Sequence, residues 1–311
     1  MTSMLREGCT LAVTVVGSIN LDITARVAGM PMVGQTALAD EGWITPGGKG
    51  ANQALAARLG GAATRLVGMA GDDPFRRPAL ALLEKGGVDL DLVRTGDSGT
   101  GLALIWLDAA GHNTITVLPR ANRELLPDFF DPGPPLEAGD VVLISLEIPL
   151  DTAVAALEWA RRGGAQVVLD PAPAPETLPA RLWTADVLVP NQGEAARILG
   201  MPVADAKQAR MAARALRQRG AGIGVVKMGA EGVAWATRQG VFYLPAQAVE
   251  AVDTTGAGDV FAGVLAASLA LGDAFPAAMR RATQAAAISV TRPGAQPSFP
   301  TRHEVDQAFL V

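Results

Sequence analysis

Cysteine is almost missing from this chain of 311 residues, with Cys9 the only one. No internal disulfide can form, and the composition fits a reducing compartment, so a cytoplasmic location is expected. Histidine occurs at positions 112 and 303 alone. Neither sits at metal-ligand spacing or beside a nucleophilic Ser or Cys motif, which argues against a zinc site and a serine or cysteine hydrolase. Both are expected at the surface. No run approaches about 18 unbroken apolar residues, and residues 1–10 carry Arg6 and Glu7 without a long apolar core. Neither a membrane span nor a signal peptide is expected. Charge is sparse too, at 18% of residues, with a formal net charge of −5 and no basic run. Nucleic acid and anionic membrane are thereby disfavoured as main partners.

What the chain does have is apolar residues, 49% of the total, enough at this length for a large buried core. Short β-branched runs alternate with longer Ala/Leu/Arg segments, the pattern of parallel strands joined by crossover helices. Strands are predicted at Ala12–Gly17, Thr64–Val67, Val141–Ser145, Gln166–Asp170, Val187–Val189 and Gly224–Lys227. Helices are predicted at Pro74–Lys85, Thr152–Arg162, Gln192–Leu199 and Ala206–Arg219. The fold class is α/β: a doubly wound, mostly parallel sheet flanked by helices, in a single domain over 1–311. Two segments, about 21–45 and 100–119, are strand-like without intervening helices. In the second, Leu102–Asp108 and Asn113–Leu118 flank Ala-Ala-Gly-His, a hairpin turn. These segments are expected to form a small β-lid over the sheet's carboxyl edge, where open α/β sheets bind ligands.

Residues 253–259 read Asp-Thr-Thr-Gly-Ala-Gly-Asp and lead into an apolar helical stretch. Unpaired N–H groups at a helix start attract anions, and glycines let a phosphate approach them closely. Asp259 there suits a base that deprotonates a hydroxyl attacking the phosphate. The alternative is an ordinary strand-to-helix turn whose Asp is favoured by the helix dipole. A second Gly-rich element, Gly47-Gly48-Lys49-Gly50-Ala51-Asn52-Gln53, also precedes a helical stretch, Ala54 to Leu59, and two such turns suggest two polar ligands. Lys49 is followed by Gly50, not Ser or Thr, so this is no Walker loop. After the first strand the chain gives Gly17-Ser18-Ile19-Asn20-Leu21-Asp22 instead of Gly-x-Gly-x-x-Gly, which removes the main support for a dinucleotide oxidoreductase.

These pieces occur together in one order: Gly-Ser-Ile-Asn-Leu-Asp at 17–22, Gly-Gly-Lys-Gly-Ala-Asn-Gln at 47–53 and Gly-Asp-Asp at 71–73. Leu-Glu-Ile-Pro at 146–149, Pro-Ala-Pro-Ala at 171–174 and Pro-Asn-x-x-Glu at 190–194 follow, then the heptad and Thr-Arg-x-Gly-Ala-Gln-Pro-Ser at 291–298. Nearly end to end, the chain resembles the phosphofructokinase-B family of ribokinase-like sugar kinases. The resemblance implies ATP-dependent phosphorylation of the primary hydroxyl of a pentose, with D-ribose the expected substrate. The alternatives are another sugar or nucleoside, such as deoxyribose, fructose, 2-keto-3-deoxygluconate or adenosine, or a sugar-sensing protein without turnover. It also implies Mg²⁺, activation by K⁺, and a homodimer through the lids, whose edge strands invite pairing.

Residue by residue, the resemblance assigns sugar hydroxyls to Asn20, Asp22, Gly48, Lys49, Asn52 and Glu147. It assigns the general base to Asp259 and the anion hole to the amides of Gly256, Ala257 and Gly258. Asn191 and Glu194 would organise Mg²⁺, largely through water, and the nucleotide phosphates; read from spacing alone they are also a helix-capping pair. Lys227, Gly229 and Gly232 with Gly258 and Thr283 would line the nucleotide, Lys227 standing where the family has Thr. Asp253, Thr255, Ser289, Arg292, Gly294 and Ser298 would form the monovalent-cation site. Three further residues depart from the family pattern: Arg76, Val264, and Arg120, which stands at the lid's exit, placed to meet an acidic or phosphorylated substrate or solvent alone.

Overall fold

The computed structural model describes residues 12–108 and 112–308. Cys9, Arg6, Glu7 and Ala109–Gly111 of the expected hairpin turn lie outside them. The large sheet takes β1 (Ala12–Val16), β4 (Ala63–Gly71), β5 (Val93–Gly96), β8 (Val141–Ser145), β9 (Gln166–Asp170), β10 (Val187–Leu188), β11 (Ile223–Lys227), β12 (Val233–Ala236) and β13 (Val241–Leu244). Its order is β13-β12-β11-β10-β9-β8-β1-β4-β5. All neighbours run parallel except β12, which is antiparallel to both β11 and β13. The expected doubly wound, mostly parallel sheet is the one observed. β4 outruns its predicted end by four residues because Gly68–Gly71 stay buried, whereas β12 and β13 follow a turn whose alternation was too short to read.

Side-chain alternation splits the core between the two faces of this sheet. On β8, Val141 and Leu143 point into one cluster while Val142 and Ile144 point into the other. The first cluster is closed by α1 (Lys49–Leu59), α2 (Arg76–Gly86), α6 (Ala257–Ala270), α7 (Phe275–Ser289) and α8 (Arg302–Ala308). The second is closed by α3 (Leu150–Arg162), α4 (Gln192–Leu199) and α5 (Ala206–Gln218). In α5 the buried residues Ala209, Ala212, Ala213 and Leu216 recur at helical spacing, so one stripe faces the sheet while Arg210 and Arg214 are exposed. α6 is buried almost all round, from Asp259 to Ala270, because α1 and α7 flank it. A charged residue at its start is therefore carried inside the protein.

The small sheet has the order β3-β2-β6-β7, from β2 (Asn20–Val27), β3 (Ala39–Gly47), β6 (Gly101–Leu107) and β7 (Asn113–Leu118). β2 pairs antiparallel with β3 and parallel with β6, and β7 returns antiparallel on β6. Its root is tied to the large sheet: Leu21 and Leu102 belong to the core. Its far end is exposed along β3 and β7. Asn20 and Asp22 share one face of β2, as strand alternation requires, and sit at that root. Among the described residues, no helix is long and apolar enough to cross a membrane.

Candidate active site

The parallel strands end on one edge, and polar residues picked out by sequence collect there, Asn20 past β1, Glu147 past β8, Asn191 past β10 and Lys227 at the end of β11, joined by Asp170 at the end of β9. β1 lies between β4 and β8, where the strand order reverses, and such points open a crevice.

One group forms around Glu147. Its Oε2 accepts a hydrogen bond from Ser18 Oγ at 2.6 Å and lies 3.5 Å from Asn20 Nδ2 and 3.4 Å from the Lys49 N–H. Asn20 is 2% exposed and is fixed by Asn122, whose Nδ2 donates to Asn20 Oδ1 at 2.8 Å while its Oδ1 accepts from the Ile19 N–H at 2.9 Å. Gly48, at φ 89°, caps α1, and a Cβ there would stand 2.6 Å from the Asn20 nitrogen. The position is thus restricted to glycine by both conformation and space. Asp22 holds its proton far more tightly than usual, its pKa pushed from 3.8 up to about 7 by burial, then by the negative Glu147 and Asp259.

The second group is built on Asp259 in the first turn of α6. Asn52 Nδ2 donates to its Oδ2 at 2.9 Å and Gln53 Nε2 to its Oδ1 at 3.0 Å. Gln296 Nε2 braces Asn52 through its Oδ1 at 3.1 Å. Burial raises the Asp259 pKa; Lys49 opposes that and Asp170 adds to it, while the two amide donors favour the anion. Lys49 goes the other way: burial alone would lower it, yet Asp259, Asp170, Glu147 and Glu194 together hold it firmly protonated. Ahead of the helix, Gly256 takes φ 77°, and a Cβ would press within 3.0 Å of Phe299 and 3.2 Å of Ala295. The first amides of α6 have no partners within the helix, as at any helix start, and the Ala257 N–H reaches the Thr254 carbonyl at a long 3.3 Å.

A cavity of about 650 Å³ adjoins this turn. Lys49, Asn191, Glu194, Lys227, Gly229, Gly232, Gly256, Ala257, Gly258, Asp259 and Thr283 all line it. The structure thus brings the expected nucleotide residues and the expected base to one cavity. Asn191 and Glu194 do form the capping pair: Asn191 Oδ1 accepts from the Glu194 N–H at 2.9 Å and Glu194 Oε2 from the Asn191 N–H at 2.7 Å. Capping and cavity lining therefore coexist in the same two side chains. Burial raises the Glu194 pKa, Asp170 adding to the effect.

Of the expected cation-site residues, Asp253, Thr255 and Gly294 meet directly. Val252 and Asp253 donate their N–H groups to the Val290 carbonyl at 2.7 and 3.1 Å, and the Asp253 carboxylate accepts from Thr255 N–H and Gly294 N–H, each at 2.9 Å. Burial would raise Asp253, but these bonds outweigh it and keep the carboxyl below its usual range. Ser289 and Ser298 hydroxyls donate to the carbonyls of Ala286 and Ala295, and Arg292 pairs with Glu304.

Arg120 departs from expectation. Although a third of its side chain stays exposed, its guanidinium turns back on the protein, donating to the carbonyls of Ser98 at 2.8 Å and Thr100 at 3.2 Å and lying 3.7 Å from Asp73. Its φ of 46° is the sole positive value for a non-glycine residue among those described, a strained conformation held by these ties. Arg76 likewise spends its guanidinium on the carbonyls of Ala70 and Val93. Four side chains central to the site were given no role from sequence: Gln53, Asn122, Asp170 and Gln296. Gln53 lay in plain view beside Asn52; the others reach the site across long sequence separations and carry no local signal.

The sequence matches the pfkB family of carbohydrate kinases over residues 11–302. A deoxyribokinase of Salmonella typhimurium is 35% identical over 298 residues, covering 95% of this chain and 97% of the relative. A ribokinase of Bacillus subtilis is 33% identical over 299 residues, with 95% and 98% covered. Among solved structures, an Arabidopsis thaliana ribokinase complexed with ribose and ATP superposes with a TM-score of 0.86 at 31% identity, covering 96% of this chain and 98% of that one. With that match, and the glycine turn, buried carboxylate and cavity in one place, the chain belongs to the pfkB family of carbohydrate kinases.

Proposed function

We propose that this chain is an ATP-dependent kinase acting on the primary hydroxyl of a pentose, with D-ribose as substrate and D-ribose 5-phosphate as product. The observation that carries the reading is Asp259, a buried carboxylate gripped by Asn52 and Gln53 in the turn that walls the cavity. Asn20, Asp22, Gly48, Lys49, Asn52 and Glu147 would hold the sugar, since a polyol needs a ring of paired donors and acceptors. Asp259 takes the proton of the primary hydroxyl, and burial suits it to the task by raising its affinity for that proton. The amides of Gly256, Ala257 and Gly258 receive the charge that spreads over the phosphoryl oxygens. Lys227, Gly229, Gly232 and Thr283 would line the nucleotide.

Asn191 and Glu194 would organise Mg²⁺, which when bound offsets the charge of the phosphates. The corner formed by Asp253, Thr255, Ser289, Arg292, Gly294 and Ser298 suits a K⁺ ion. Its Asp253 carboxylate stays ionised, and each oxygen accepts one N–H with lone pairs to spare. Ordering that turn would steady the amides that follow it. A second copy of the chain would dock through the small sheet, whose Trp43, Ile44, Ile115 and Val117 are exposed beside unpaired edges of β3 and β7. We assign the protein to the cytoplasm, where its nucleotide is held.

The 35% identical deoxyribokinase favours a second reading in which 2-deoxyribose is the acceptor. ATP turnover with ribose, 2-deoxyribose, fructose, adenosine and 2-keto-3-deoxygluconate, with Mg²⁺ and with or without K⁺, decides between them. Selective use of ribose supports the first reading and of deoxyribose the second. Sugar binding with no turnover would overturn both in favour of a sensor.

A further inference from the structure

Lys227 stands apart from the other cavity residues because it is tied to the base through an unbroken chain of side chains. Its Nζ lies 2.8 Å from Asp170 Oδ1. The other oxygen of Asp170 accepts from Gln53 Nε2 at 2.8 Å, and that same nitrogen donates to Asp259 Oδ1 at 3.0 Å. Asp170 is 1% exposed, and the Lys227 side chain is 12% exposed, at the cavity wall. A Cβ built on Gly258 would lie 3.6 Å from the ammonium, so the charge stands over the first turn of α6. An ammonium has three donors and Asp170 takes one. The carboxyl groups of Asp22, Glu147, Asp170, Glu194 and Asp259 crowd this edge, with Lys49 and Lys227 the cations among them. A phosphate arriving beside Asp259 and Asp170 would be repelled without a cation at its seat.

Building on the kinase reading, we propose that Lys227 is a catalytic residue that touches the transferring phosphoryl group, with Asp170 as the positioning residue that holds both Lys227 and, through Gln53, the base. In the step itself, the sugar oxygen forms a bond to the terminal phosphorus as the bond from that phosphorus to the bridging oxygen breaks. The electron pair leaves with ADP and the hydroxyl proton passes to Asp259. Lys227 keeps its proton and contributes charge alone. Asp170 fixes the distance between the phosphate seat and the base, so that the two cannot drift independently.

The test combines turnover with calorimetry of ATP, ADP and adenosine binding to wild type, Lys227→Met, Lys227→Arg and Asp170→Asn. Lys227→Met is expected to lower kcat by roughly 10²–10³-fold, the scale of losing one oxyanion-type contact. It should weaken ATP by at least about tenfold, the scale of a charge-assisted bond, with adenosine affinity and the sugar KM unchanged. Lys227→Arg, which keeps the charge, should recover much of both. Asp170→Asn should lower kcat while leaving adenosine and sugar binding intact. If Lys227→Met keeps wild-type kcat, or if ATP and adenosine weaken together, the proposal is overturned, the latter marking a merely structural lysine. If wild type turns over none of the sugars, the kinase reading falls, yet the ratio of ATP to adenosine affinity still decides whether Lys227 meets a phosphate.

Discussion

Asp22→Asn should make the protein more stable and less able to bind sugar, and the gain in stability should depend on pH. In the folded protein the carboxyl titrates near 7 instead of 3.8, so between those values the folded state holds a proton that the unfolded chain has released. A group raised in this way lends its full stability below 3.8 and loses it as the pH climbs through 7. The shift spans about three pH decades, and at 1.36 kcal/mol per decade the ionised carboxylate costs the ligand-free protein at most about 4 kcal/mol above pH 7. Asparagine keeps the shape without the charge. The difference in unfolding free energy between variant and wild type, measured by urea denaturation without ligands, should therefore grow from pH 4 to about pH 7 and level off above it. Sugar affinity should drop by at least about tenfold, because a charged acceptor is lost. A stability difference that is flat across that range would refute the argument, since it would show that Asp22 is not a strained anion.

Asp259→Asn should leave ATP and sugar affinity nearly unchanged while lowering turnover by roughly 10²–10⁴-fold; near-wild-type turnover would remove Asp259 from the role of base. Gly256→Ala forces a side chain into a left-handed turn and against Phe299 and Ala295, so thermal unfolding should show a loss of about 1–2 kcal/mol together with a fall in kcat as the amides shift. Glu147→Gln removes a charge that raises Asp22, so the acid limb of kcat/KM should move to lower pH. In Asp253→Ala the ratio of rates with and without K⁺ should collapse to about one, and a retained response would place the cation elsewhere.

How much of this was legible in the sequence depended on distance along the chain. The turn at Asp253–Asp259 could be read because cause and effect sit within seven residues: glycines, helix start and carboxylate are neighbours. The strands of the large sheet were legible for the same reason, being short apolar runs of a kind that buries on both faces. The roles of Asn122 and Gln296 could not be read because their partners, Asn20 and Asn52, are 102 and 244 residues away. Nothing local distinguishes such an amide from one in water. Asp170 was hidden differently, at the end of a strand already assigned to the core, where a carboxylate reads as the strand's boundary. Arg120 misled because a positive charge at a sheet's exit looks available, whereas its φ of 46° and three oxygen contacts fold it inward.

The proposed sugar contacts Asn20 and Asp22 lie at the rooted end of the small sheet. Asn20 is pinned by Asn122 at the fixed end of β2, and Asp22 lies two residues along. Six residues at about 3.3 Å each put Arg26 roughly 20 Å out. A swing of about 10° at the root would carry that tip some 3–4 Å while moving Asp22 by roughly 1 Å. Such a motion of the exposed end would be felt only weakly at the proposed sugar contacts. Substitutions at the exposed end, at Trp43 or Ile115, should alter how fast sugar enters and leaves in equal measure, and leave its equilibrium affinity where the root set it.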